Sequence, residues 1–314
     1  MATSGSINYS QNRNEIITDA LSMLGVVSAG GTARAADITF CSNQLNKMIK
    51  AWQSHGIHLW KECEAVVALV NNQSIYSLSS TSSDKMGDNP VHTNLTADAS
   101  GTSLTVTSTI GMTAADNISI ELDNNTRQYT TIVSVDSSTA LTITASISSA
   151  ASSGRSVFTY TTASGRPLNI TNARYKYSNG IERRIEKMGR AQFMERTNKN
   201  NSGTVTAYYY SPQLNAGKLY VYQTPNNAGD TLNVSYIKSF EDFDNSTDDP
   251  DFPQEALEPL TLNLAARVAP AYGIDLNKVA PNLMLDAQRS LLMLEAWDSE
   301  EGSVYMVPNR RDDD

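Results

Sequence analysis

Apolar residues recur along this chain with two periods, and the period changes twice. Near the start, Ile16, Ile17, Ala20, Leu21 and Leu24 fall at i, i+1, i+4, i+5 and i+8, which is one face of a short helix, and Gly25 follows as a stop. A second stripe, Ile38, Cys41, Leu45, Met48, Ile49 and Trp52, begins near Ala35 and ends at Gly56, so the pair predicts a helical hairpin. From about Asn71 the pattern becomes alternation: IYSL, TSLTVT, NISIEL, QYTTIVSV, ALTITA and SVFTY, separated by Gly, Asp-Asn-Asn and Asp-Ser-Ser. These predict antiparallel strands with hairpin connections. A second β stretch, TVTAYYYS, KLYVYQTP and TLNVSYI, follows, and the acidic EDFDNSTDDPDFP returns the chain to helix near Gln254.

Helical period then dominates to the end. In LTLNLAARVAPAYGIDL and the residues just before it, Leu257, Leu260, Leu264, Val268 and Ala271 lie on one face and Pro259, Ala266, Ala269 and Pro270 on the other. Only Asn263 and Arg267 interrupt this apolar and small surface, so the helix is expected to be sandwiched between neighbours. Pro270 removes one backbone donor and bends the helix, at about 3 kcal/mol in an interior position and less in a last turn, and Gly273 ends it. A last helix is expected from about Lys278 to Trp297, capped by Asn277, with Leu283, Ala287, Leu291, Leu294 and Trp297 as its stripe. The remaining SEEGSVYMVPNRRDDD reads as an extended arm.

The pattern predicts an α+β fold: an α-helical bundle formed from both chain ends, with an inserted antiparallel β region that includes a small Ser/Thr-rich β-barrel or sandwich. The expected boundaries are 1–70 and 251–298 for the two helical parts, 71–91 with 163–250 for a β domain, 92–162 for the insertion, and 299–314 for the arm. Composition sharpens the insertion, because no lysine occurs between Lys85 and Lys176, where Ser and Thr dominate. It also separates ends from middle: the tryptophans are Trp52, Trp60 and Trp297, whereas eleven of the fourteen tyrosines lie between Tyr76 and Tyr236.

Charge narrows the function classes. The chain of 314 residues carries a formal net charge of −9, which disfavours general binding to phosphate backbones or acidic membranes. Arg174 to Lys199 is the exception, with eight basic and three acidic residues; solvated strand faces, an acidic protein ring or a DNA backbone would each account for it. The polar N-terminus lacks the profile of a signal peptide, and no run reaches the ~18 apolar residues of a spanning helix, so a soluble protein without membrane insertion is expected. Cys41 and Cys63, in apolar surroundings, are expected to be free thiols.

Candidate chemistry is sparse. His55, His58 and Cys63 lack a fourth zinc ligand, and Asp242, Asp244, Asp248, Asp249 and Asp251 lack the central Gly and terminal Glu of a calcium loop and read as a solvated linker. No Gly-x-Ser-x-Gly elbow, phosphate-binding Gly-rich loop or HExxH is present, so no enzyme and no cofactor or metal is expected. Glu62 and Glu64 would be the carboxylates of a glycosidase, although neighbouring positions do not set the required geometry. Tyr208, Tyr209, Tyr210, Tyr220 and Tyr222 would stack sugars or, more simply, pack in a core and an interface.

DALSMLGVV, LNKMIKAWQSHGIHLW, FPQEALEPLTLNLAARVAPAYGI and EAWDSEEGSVYMVPNRR, in this order, together with RRIEKMGRAQFMER and the tyrosine-rich segment after it, resemble the head-to-tail adaptor proteins of tailed bacteriophages, particularly short-tailed ones. The resemblance covers both ends and much of the second β stretch, and the Ser/Thr-rich insertion departs from the simplest members. It implies a homo-oligomeric ring, commonly a dodecamer, at the head-tail junction of a virion assembled in the host cytoplasm. It further implies binding to the portal protein and docking of a tail nozzle or tail hub protein, with tail fibres as a further partner, while packaged DNA passes through the channel without sequence-specific contact. The arm would carry the portal contacts through Val304, Tyr305, Met306, Val307, Pro308 and Arg310. Leu260, Leu264, Ala266, Val268, Ala269 and Pro270 would pack the ring. The rival expectations are a carbohydrate-binding tail adhesin and a virion-associated cell-wall hydrolase.

Overall fold

The computed structural model describes residues 5–57, 59–82, 84–88, 90–276 and 281–298. Contacts divide the chain into two units, 1–61 with 240–314, and 62–239. Five α-helices are described: α1 (Arg13–Met23), α2 (Ala35–His55), α3 (Arg190–Glu195), α4 (Leu257–Val268) and α5 (Leu283–Trp297). Seventeen strands are described. Before the insertion come β1 (Glu62–Ala68), β2 (Ile75–Leu78) and β3 (Met86–Gly87). The insertion holds β4 (Val91–Asn94), β5 (Ser103–Thr105), β6 (Asn117–Glu121), β7 (Arg127–Val135), β8 (Ala140–Ile143) and β9 (Ser156–Tyr160). After it come β10 (Asn169–Lys176), β11 (Glu182–Arg184), β12 (Glu186–Lys187), β13 (Ser202–Gly203), β14 (Ala207–Ser211), β15 (Gly217–Tyr222), β16 (Thr224–Pro225) and β17 (Thr231–Ile237).

This corrects the expected fold class. The molecule is β-rich, 29% strand against 26% helix, with several sheets and a half-barrel, and is not a bundle formed from both chain ends. The physical reason is the share of the chain committed to alternation: four sheets organise the middle, whereas the helices surround one core cluster among four. The sequence boundary at residue 70 also overlooked β1, whose ECEAVVA is a short apolar run that periodicity alone does not assign.

In the helical unit, a capping box starts α1: Asn12 Oδ1 accepts from Glu15 N at 3.1 Å and Glu15 Oε2 from Asn12 N at 2.9 Å. α2 stops at Gly56, which takes a left-handed φ of 95°. Ile17, Leu21, Leu45 and Ile49 close over Leu260, Leu264 and Val268 of α4, all buried. The α-helical hydrogen bonding of α4 ends at Val268, and Ala269–Tyr272 forms a 3-10 turn with Pro270 in its first positions and left-handed Gly273 as its cap. Pro270 therefore sits where a turn begins and its missing donor costs little, so the helix is terminated rather than kinked. The acidic stretch 240–251 keeps Asp242, Asp244 and Asp249 exposed, as expected of a solvated linker, but is tied to its unit at several points. Asp242 pairs with Lys50 at 2.8 Å, Asp251 with the buried Lys61, and Arg13 Nη1 donates to Asp244 O at 3.2 Å, while the rings of Phe240 and Phe252 stack at 4.4 Å.

In the other unit, a five-stranded sheet of order β11-β10-β17-β1-β3 and a four-stranded sheet of order β12-β14-β15-β2 share a core. β17 shows why: Leu232, Val234 and Tyr236 face inward to Tyr76, Tyr208 and Leu219, and Asn233 and Ser235 face outward. The outer side of the four-stranded sheet is covered by α3, where Phe193 meets Tyr209 and Tyr220 at ring distances of 6.0 and 5.7 Å. The insertion is a six-stranded antiparallel sheet of order β4-β9-β6-β7-β8-β5. It curls around Leu104, Ile118, Ile120, Leu141 and Val157, and a bridge between Leu95 and Val106 brings its ends together.

Candidate functional site

Two surfaces stand out, one on each unit. The first is the outer face of α5. Its inner face is fixed on α4: Leu283, Ala287 and Leu294 are buried, and Asn263 Nδ2 donates to Ala287 O at 3.0 Å and to Pro259 O at 2.9 Å. Its outer face carries Met284 (56% exposed), Leu292 (62%) and Met293 (72%), with Leu285 also exposed. Trp297, 52% exposed, lies against Trp60 at a ring distance of 6.1 Å. Full burial of one such side chain stabilises an assembly by about 1.5–3 kcal/mol, and contiguous exposed apolar surface of this kind marks an interaction face.

The residues expected to pack a ring are placed elsewhere. Leu260, Leu264, Val268 and Ala269 are completely buried in the protomer's own core, beneath α1, α2 and α5, so they have no surface to offer another copy. Ala266 is half-buried and Pro270 exposed. For Leu260, Leu264, Val268 and Ala269 the covering partner is the same chain. The missed surface had a signal, because LMLDAQRSLLMLEAW is apolar on more than the one stripe assigned to it. The arm residues Val304, Tyr305, Met306, Val307, Pro308 and Arg310 lie outside the described residues.

The second surface is the seam between the half-barrel and the outer side of the five-stranded sheet. Arg127 latches it. Its Nε donates to Leu69 O at 3.1 Å and its Nη2 to Ala228 O at 2.7 Å and to Ser156 Oγ at 2.6 Å, and the guanidinium lies 4.9 Å from the centre of the Phe158 ring. His92 stacks on Phe158 at 4.5 Å; desolvation of the ring face covered there, and secondarily the charge of Arg127, push its pKa below the ordinary imidazole value, while the ring as a whole stays exposed. The buried carboxylate of Asp230 accepts from Tyr175 Oη, from Ser178 N at 2.8 Å and from Asn227 Nδ2 at 3.0 Å, which fixes the loop that forms one rim.

The remaining candidates are dispersed. His55 is exposed at the end of α2, Cys63 is half-buried in β1, and His58 lies outside the described residues. Among the described residues no three His, Cys, Asp or Glu side chains are placed to hold a metal ion. Cys41 is buried, its thiol pKa raised by burial, and its Sγ is 3.8 Å from Tyr272 Oη; both cysteines are free. Glu62 accepts from the Thr171 hydroxyl. Tyr208 and Tyr210 belong to the sandwich core, and Tyr209, Tyr220 and Tyr222 are half-buried beside α3, with Arg196 5.0 Å from the Tyr222 ring. In the basic segment, Arg174 and Lys176 lie 3.6 and 3.7 Å from Glu182, and Lys187 Nζ donates to Ile170 O at 2.6 Å. No described helix is long and apolar enough to cross a membrane. Compared with known proteins, the chain matches no family model and no curated protein.

Proposed function

We propose that this chain is a non-enzymatic structural protein of a phage virion, a ring-forming head-to-tail adaptor that binds the portal, helps retain packaged DNA and offers tail proteins a docking platform. The observation that carries the reading is the apolar outer face of α5, a surface suited to assembly and placed immediately before the C-terminal segment that resembles the portal-binding arm. The order of adaptor-like segments along the chain supports it. A net charge of −9 fits a channel wall along which DNA slides without adhering. In this reading the α5 face, not α4, supplies the contacts between copies.

Electron microscopy of the purified chain mixed with its portal tests the proposal. Rings seated on the portal are expected, Leu292→Asp should leave single protomers, and deletion of 302–314 should abolish portal binding while the helical unit stays folded. A chain that stays monomeric and ignores portal at high concentration would refute it.

A further inference from the structure

The seam beside the half-barrel has the make-up of a ligand cleft. Three cavities of about 520, 290 and 240 Å³ run along it. His92 lines both the first and the second, and Glu64 and Asn233 line both the second and the third, so the three adjoin one another along the seam. A groove of this total size exceeds a single small molecule and suits several units of a linear polymer.

Its lining says which polymer. Six asparagines line it: Asn71, Asn94, Asn172, the adjacent pair Asn226 and Asn227, and Asn233. The amides of Asn172, Asn227 and Asn233 are engaged within the walls, whereas those of the exposed Asn94 and Asn226 make no hydrogen bond to another described residue, so each offers both a donor and an acceptor, the pairing that a vicinal diol requires. The cations of the lining are paired or shared: Arg155 is 2.7 Å from Glu121 and 2.9 Å from Asp123, and Arg174 and Lys176 share Glu182, with Glu64 adding a further negative charge to the lining. A polyanion would have to break these pairs, whereas an uncharged polyol leaves them intact. Midway along the groove the exposed His92 ring, backed by Phe158, presents a flat face against which the C–H face of a sugar ring can lie.

We propose that the groove between the half-barrel and the five-stranded sheet binds an uncharged oligosaccharide, with His92 as the stacking platform and Asn94 and Asn226 as its hydroxyl readers. The Arg127 latch and the Asp230-anchored loop hold both walls in place beforehand, which lowers the ordering cost of binding. This site is independent of the α5 face, and its failure would leave the adaptor reading untouched.

The test is a glycan array of bacterial O-antigen, capsular and peptidoglycan-derived oligosaccharides, probed with the labelled full chain and followed by calorimetric titration of the strongest hit. Binding to at least one uncharged oligosaccharide, little affected by added salt, is expected. His92→Ala and Asn226→Ala should each weaken it by about tenfold, the worth of one well-placed contact. His92→Phe, which keeps the flat ring, should retain it, and circular dichroism of each variant checks folding. Silence across the array, equal binding by wild type and the folded Ala variants, or binding confined to sulfated glycans or duplex DNA and lost in raised salt would overturn the proposal.

Discussion

α4 and α5 are almost equally apolar, and in the sequence the first reads as sandwiched and the second as carrying a single stripe, yet they end in different situations. α4 has Leu260, Leu264 and Val268 sealed beneath α1, α2 and α5 of its own chain. α5 has one covered face and one that leaves Met284, Leu292 and Met293 in water. The pattern of apolar positions states how much surface a helix must bury, and says nothing about whether the partner is the same chain or another molecule.

The comparison breaks most readily at α4. Leu264→Ala should destabilise the helical unit by about 2–5 kcal/mol, seen as a lower midpoint in chemical denaturation, because a completely buried side chain leaves a cavity. An unchanged midpoint would place α4 at a surface after all. In the other unit, Arg127→Leu should cost about 1–3 kcal/mol, since the carbonyls of Leu69 and Ala228 lose their donor, and limited proteolysis should then cut the insertion first. Alkaline pH sharpens the distinction between buried and exposed rings. Burial raises the pKa of Tyr208 to about 12, above the ~10 of an unfolded tyrosine, so this contribution is complete below pH 10 and is lost as pH climbs toward 12. A titration of tyrosinate absorbance should show it ionising together with unfolding. The smallest effect belongs to α5: Leu292→Ala should change protomer stability by no more than about 0.5 kcal/mol, measured by thermal melting under conditions that keep protomers apart. A large loss there would mean the face packs within the chain.

Much of the fold was legible where period and stop signals agree. The stripe from Cys41 to Trp52 before Gly56 is α2, and the alternation of Leu232, Val234 and Tyr236 is β17. What escaped was whatever depends on distant partners. ECEAVVA is a strand because it pairs with 231–237, a neighbour some 170 residues away by the registered pair Glu62 and Ile237. The pairing of Asp242 and Asp251 was hidden because Lys50 and Lys61, which hold them, lie in the other terminal part of the sequence. The candidate cleft was invisible for the same reason: its asparagines come from positions 71 to 233, share no spacing, and meet only once the half-barrel lies along the sheet. The tyrosine run was partly legible, since alternation placed Tyr208 and Tyr210 on one side and Tyr209 on the other, while the short α3 that covers the second side carried no strong periodic signal.

The half-barrel begins and ends at one doorway. Val91 of β4 pairs with Thr159 of β9, Gly87 bridges to Ala163 just outside, and the Gly87 backbone lies so close to Tyr160 that a Cβ there would fall 2.1 Å from its ring. With departure and return side by side, seventy-odd residues could be exchanged for a tight turn, or for a different module altogether, without moving any strand of the host sheets.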